Sequence, residues 1–216
     1  MEYEFDKLAE SYEVNRLSVW YSALGNRLLD LLGEHREEAV LDLGCATGWL
    51  LRQMSEKRML QMGLGIDLSN KMIEVARANS AARGLTNLRF LHSDWEQIDL
   101  HDLVPPTFDM AICANTLHYF SDPARAIQRV HACLKTGGRF FLLERNKTGS
   151  IFTSLWEFFH NRCLHHGIKF YSELELVRLL ESAGFCQVTI AERIRHLLWK
   201  NKLYTSSVIL CGTKSL

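Results

Sequence analysis

The chain has no surplus of charge of either sign. Its 216 residues carry 25 Lys plus Arg against 25 Asp plus Glu. A nucleic-acid binder usually shows a basic surplus, because neutralising phosphates takes cations, and none stands out here as a block. No apolar run reaches the roughly 20 residues of a membrane-spanning helix. The opening MEYEFDKLAE is acidic, unlike a basic signal segment. Prolines number only three, and no Gly/Ser tract or internal repeat divides the chain. The six cysteines, at 45, 113, 133, 163, 186 and 211, form no C-x-x-C pair. That pattern reads as reduced, buried thiols in a cytoplasmic protein and excludes a zinc or redox motif of that type. What remains is an expectation of one domain, 1–216, large enough to bury its own core.

Apolar runs of strand length are present in number: AVLDLG, QMGLGIDL, NLRFLHSD, FDMAICAN and GRFFLLER. Helical spacing falls between them near 49–58 and 70–83, with a shorter connection near 95–104 and a helix near 122–135. Asp122-Pro123 opens that last helix, and Lys135 closes it before Gly137-Gly138, the charges and breakers that suit helix ends. Strands alternating with helices imply a parallel, doubly wound sheet. Past Arg145 the pattern changes to helices at 150–166 and 172–183, then FCQVTIAER and YTSSVILCGT as strands. Two strands on a short connection pair antiparallel, so the sheet should end in a hairpin. Phe5, Leu8, Ala9 and Tyr12 suggest one helix ahead of the sheet and residues 16–32 a second, together an N-terminal helical cap over 1–35.

The first strand runs into Gly44-Cys45-Ala46-Thr47-Gly48, a small-residue turn that lets backbone N–H groups approach a ligand. A dinucleotide fingerprint would need a third glycine where Trp49 stands, and a P-loop would need Gly-Lys-Ser/Thr. Neither is there. VLDLGCATG instead resembles the first motif of the class I S-adenosylmethionine (SAM)-dependent methyltransferases, usually acid-x-G-x-G-x-G, with Ala46 in place of the middle glycine. Alanine adds one methyl group there, which reads as a mild departure. Further segments resemble the small-molecule branch of that family (methyltransferase type 11, ubiquinone-biosynthesis-like) in order and spacing. GLGIDLSNKMIEVARA is similar to its second motif, FLHSDWEQ to its third, and FDMAICANTLHYFSDPARAIQRVHACLKTGGRFFLLE to its fourth and fifth strands with the helix between. FDKLAESYE resembles its opening helix.

The resemblance implies a Rossmann-like α/β fold with a doubly wound, seven-stranded, mostly parallel sheet and a C-terminal antiparallel hairpin. It also implies SAM as cofactor. The implied cofactor set is Tyr12, Asp42, Gly44, Ala46, Gly48, Asp67, Leu68, Met72, Asp94, Trp95 and Asn115. Within it, Asp67 would accept from both ribose hydroxyls, Met72 would pack on the adenine and Asp94 would accept from its 6-amino group. Trp95 would cover the base, and Tyr12 would close over the cofactor. Each has a plainer reading: Asp67 as a helix cap, Met72 as core, Trp95 as a half-buried tryptophan, Tyr12 as packing.

Methyl transfer from a sulfonium needs alignment more than covalent help, but a hydroxyl or acidic-carbon acceptor must also lose a proton. His118, just past the fourth strand, is the first candidate base and Glu144, at the end of the fifth, the second. The plainer readings are a satisfied histidine and an ion-pair partner. An aromatic-rich insertion, 148–171, lies where the family commonly places a substrate lid. Phe152, Trp156 and Phe159 on it, with Tyr119, are the candidate substrate residues, although the same spacing suits ordinary core. His160, Cys163, His165 and His166 invite a metal reading, but adjacent histidines point apart, so no metal is expected. The expected activity is methyl transfer to a small organic acceptor with an aromatic or apolar body, without nucleic acid or membrane span. The alternatives are a SAM-binding regulator or non-catalytic subunit, and a protein methyltransferase.

Overall fold

A computed structural model of the chain describes residues 2–14, 16–33, 37–100, 108–147, 168–199 and 202–215. Phe152, Trp156 and Phe159, the helix expected over 150–166 and the four candidate metal ligands lie outside the described residues. Seven strands form one sheet: β1 Glu37–Leu43, β2 Leu60–Asp67, β3 Leu88–His92, β4 Phe108–Ala114, β5 Leu134–Asn146, β6 Phe185–Trp199 and β7 Lys202–Lys214. Their order is β3-β2-β1-β4-β5-β7-β6. The described helices are α1 Glu2–Leu8, α2 Arg16–Leu32, α3 Trp49–Glu56, α4 Asn70–Ala82, α5 Pro123–Cys133 and α6 Glu173–Ser182. The chain divides into two compact units, Met1–Ile112 and Cys113–Leu216.

In the first unit β1 pairs parallel with β2, and β2 with β3. Val40, Leu41, Leu43 and Ile66 are almost wholly buried, as expected of strands covered on both faces. Helix α4 presents Met72, Ile73, Ala76 and Ser80 inward, a stripe at helical spacing. Its N-cap is Ser69, whose hydroxyl accepts from Met72 N at 3.2 Å. In the second unit β7 lies antiparallel to both β5 and β6. The expected hairpin is present and extends past the runs that suggested it. Asp122 caps α5 by accepting from Arg125 N at 3.0 Å, with Pro123 in the first turn. The helix stops at Cys133, two residues before Lys135, which instead lies in β5. The cation at its C-terminus comes from β7, where Lys214 Nζ donates to the carbonyls of His131 and Leu134, both at 2.8 Å. Cys45, Cys113 and Cys133 are buried free thiols, whereas Cys186 and Cys211 are only half-buried.

Gly48 shows why the turn after β1 uses small residues. Its φ is +73°, and an added Cβ would lie 2.5 Å from the Phe90 ring. Trp49 finds its space elsewhere: it packs over Gly25 of α2, where a Cβ would collide with the indole. Gly48→Ala combines a left-handed backbone penalty with overpacking, so it should cost about 2–4 kcal/mol. A urea unfolding midpoint unchanged from wild type would contradict this account.

Candidate active site

In the first unit, the turn at the carboxyl end of β1 and the carboxylate at the end of β2 are locked together. Asp67 Oδ2 accepts from Ala46 N at 2.8 Å, and Oδ1 accepts from Ser69 N at 2.9 Å. Gly44 N and Cys45 N both donate to Ile66 O, at 2.8 and 3.1 Å. Asp67 therefore does more than present itself to a ligand, because it bridges the turn and the first turn of α4. Each carboxylate oxygen keeps a second lone pair for a ligand hydroxyl. Burial raises the Asp67 carboxyl above its ordinary value, against the lowering effect of the Ser69 and Ala46 N–H groups. Burial first, then the Asp67 charge, pushes Asp42 up to about 8, and Asp42 is itself almost wholly enclosed in β1.

The remaining residues of the expected set are distributed as follows. Gly44, Ala46 and Gly48 all have positive φ, +68°, +46° and +73°. The left-handed conformation at Ala46 makes the missing glycine a strained substitution, not the mild one read from side-chain size. Met72 and Trp95 are buried, 1% and 3% exposed, so both serve the core as the structure stands. Leu68, next to Asp67, is by contrast an exposed apolar side chain. Asp94 caps its own turn, accepting from Glu96 N at 2.9 Å and Gln97 Nε2 at 2.7 Å. Tyr12 is half-buried on the segment following α1. Thr47 Oγ1 is buried without a hydrogen-bond partner among the described residues. Positive-φ glycines, an orphan hydroxyl and a carboxylate with free lone pairs fit a ligand bearing vicinal hydroxyls and a polar tail, as SAM does.

In the second unit His118 and Glu144 form one buried pair, not two independent candidates. His118 lies in a single 3-10 turn, Leu117–Tyr119, after β4, and Glu144 lies near the end of β5. His118 Nδ1 is 2.7 Å from Glu144 Oε1, with His118 4% and Glu144 0% exposed. The same oxygen accepts from Arg145 N at 2.8 Å, and Oε2 is buried with no partner among the described residues. Phe170 and Tyr119 flank the imidazole, with ring centroids 5.2 and 4.1 Å away. Asn115, which ends β4, has φ +54° and donates its N–H to Leu143 O at 2.8 Å. Its Oδ1 is a buried atom without a partner among the described residues. A left-handed asparagine beside a buried ion-capable pair is the kind of strain that gathers at working sites. Among the described residues no group of His, Cys, Asp or Glu is arranged to hold a metal.

Sequence reading missed Arg52 of α3, which is wholly buried and bonded to the carbonyl of Thr47 and to Glu13. Its only sign was a charge set among Leu50, Leu51 and Met54.

Comparison with known proteins identifies the family. A family described as a methyltransferase domain matches residues 34–205. The chain is 31% identical over 142 residues to the methyltransferase YcgJ of Bacillus subtilis (strain 168), covering 65% of this chain and 53% of that protein. It therefore spans about half the length of that relative. It is 29% identical to a ubiquinone biosynthesis O-methyltransferase of Xanthomonas euvesicatoria pv. vesicatoria, over 78% of this chain and 70% of that one. Among solved structures, phosphoethanolamine N-methyltransferase 2 of Haemonchus contortus in complex with S-adenosyl-L-methionine superposes with a TM-score of 0.71. That match has 14% identity and covers 98% of this chain and 60% of that one.

Two outcomes follow from the first unit. Ala46→Gly relieves the left-handed strain, less the entropy that glycine adds to the unfolded chain, and should stabilise by about 0.5–1 kcal/mol in urea unfolding. Asp42 holds its proton in the folded state up to about 8 but releases it near 3.8 when unfolded. The folded state thus binds more protons between those values, and this group's contribution to stability falls as pH rises through them. The melting temperature of Asp42→Asn relative to wild type should therefore climb from pH 5 to pH 8. A difference that stays constant with pH would refute the assignment.

Proposed function

This chain belongs to the methyltransferase-domain family, with SAM as its cofactor, and on that premise we propose that it transfers a methyl group to a hydroxyl of a small organic acceptor. The observation that carries the proposal is the 2.7 Å contact between His118 Nδ1 and Glu144 Oε1 inside the second unit. A hydroxyl must lose its proton as the new bond forms, whereas an amine can arrive already deprotonated. A buried base held by a carboxylate serves the first case and is superfluous in the second.

When bound, SAM supplies an electrophilic methyl on a sulfonium whose leaving group departs neutral. The first unit holds this donor. The second lone pairs of Asp67 would accept from its vicinal hydroxyls, exposed Leu68 would offer an apolar surface beside them, and the Gly44–Gly48 turn would bring its backbone close. The second unit serves the acceptor. Glu144 accepts the Nδ1 proton of His118, which fixes the tautomer and leaves Nε2 as the basic nitrogen. The acceptor's hydroxyl proton would pass to Nε2, and Glu144 would stabilise the imidazolium that results. Tyr119 and Phe170 beside the imidazole favour an acceptor with an aromatic or apolar body. The named relatives include an O-methyltransferase of ubiquinone biosynthesis, whose chemistry is of this type.

The test is turnover of labelled SAM against a pool of phenolic and other hydroxylated metabolites. With an acceptor in hand, His118→Ala should lower kcat by roughly 10²–10⁴ while the Kd of S-adenosylhomocysteine stays within twofold. Glu144→Gln keeps the shape of the pair but removes the charge, and should give a smaller loss in the same parameter. Wild-type rates on the best acceptor from both variants would overturn the base assignment. Tight cofactor binding with no transfer to any acceptor would favour a regulator, and label appearing only in protein would favour a protein substrate.

A further inference from the structure

The N-terminal segment 2–14 is fastened at two points, and each point touches one of the two motifs of the cofactor cradle. Ser69 Oγ donates to Asp6 Oδ1, and Ser69 N is one of the two backbone donors to Asp67. Glu13, directly after Tyr12, meets the other motif through Arg52. Nη2 of Arg52 donates to both Glu13 oxygens, at 2.7 and 2.8 Å, while Nη1 donates to the Thr47 carbonyl inside the glycine turn. Arg52 is wholly buried, its Nε has no partner among the described residues, and Glu13 is the carboxylate paired with it. Asn79 of α4 adds a weaker bond to Glu13 at 3.3 Å.

We propose that Arg52 and Glu13 are positioning residues that couple docking of the N-terminal segment to the conformation of the SAM-binding turn. A buried guanidinium needs a carboxylate, because a lone buried charge is costly. If the segment lifts away, Arg52 loses its counter-ion, and its hold on the Thr47 carbonyl loses its frame. The turn that must present its backbone to the cofactor then relaxes, and so does the stretch carrying Tyr12. Linkage makes the coupling mutual: whatever segment docking does for cofactor affinity, the cofactor does for docking. The arrangement reaches the cradle itself, since each anchor includes a group that contacts one of the two cradle motifs.

The proposal rests on the cofactor reading of the glycine turn, so wild-type binding of S-adenosylhomocysteine is measured first by calorimetry. Glu13→Gln removes the charge at one anchor, and Asp6→Asn does the same at the other without stranding a buried cation. Should one variant fail to fold, the other carries the test. In each, the Kd for S-adenosylhomocysteine should rise roughly 5–50-fold. Amide hydrogen exchange adds a readout that a merely structural role would not move: S-adenosylhomocysteine should slow exchange across residues 2–14 in wild type and do so much less in either variant. Absence of wild-type binding would overturn the cofactor reading and this proposal with it. Wild-type affinity in the variants, with or without a lower melting temperature, would overturn the coupling alone.

Discussion

One carboxylate carries most of the organisation of the first unit. Asp67 sits where β2 ends, and its two oxygens receive the N–H groups of Ala46 and Ser69. Without it, two backbone donors in a partly enclosed turn would lose their acceptor, and leaving such groups unpaired costs about 1–3 kcal/mol each. The strained conformation of Ala46 persists because that hydrogen bond holds it. Beyond the larger effect of burial, the same carboxylate helps raise the pKa of Asp42 on the adjacent strand. Structure and ligand chemistry thus share one group, which explains why Asp67 cannot be assigned to ribose binding as its sole task. Replacing it removes a structural tie between the turn and α4.

The second unit follows a different logic. β5 is buried along Phe140–Leu143, and this apolar run delivers Glu144 into a place with no water to solvate it. A carboxylate in such a place needs partners. His118 and the Arg145 amide supply them on Oε1, and Oε2 keeps capacity to spare. The cost of enclosing Glu144 is therefore offset by an imidazole whose orientation that contact sets. Phe170 packs against His118, and Tyr171 bridges to Asn146 of the same strand as Glu144.

Much of the fold was legible because its signals are short-range. Asp122-Pro123 started α5 as read, and the apolar runs became strands. Lys135 was misread as a helix-ending cation because helix termination was judged from neighbouring residues, whereas the cation that caps α5 is Lys214, 83 positions from His131. The size of Ala46 suggested an easy replacement for glycine, but side-chain volume says nothing about φ. The candidate bases were found one at a time, and nothing in their 26-residue separation announced that they are a pair.

The amino-acid order thus decided the kinds of element, their succession, their caps and the position of the small-residue turn, since periodicity and capping act within a few residues. The folded chain decided which charged groups meet, which are stripped of water and which are strained. Glu13 and Arg52 are 39 residues apart, and only packing of the N-terminal segment against α3 and α4 turns an unremarked arginine into a buried cation. Burial and pairing depend on distance in space, and in a sheet whose strand order departs from chain order that distance cannot be read from separation along the chain.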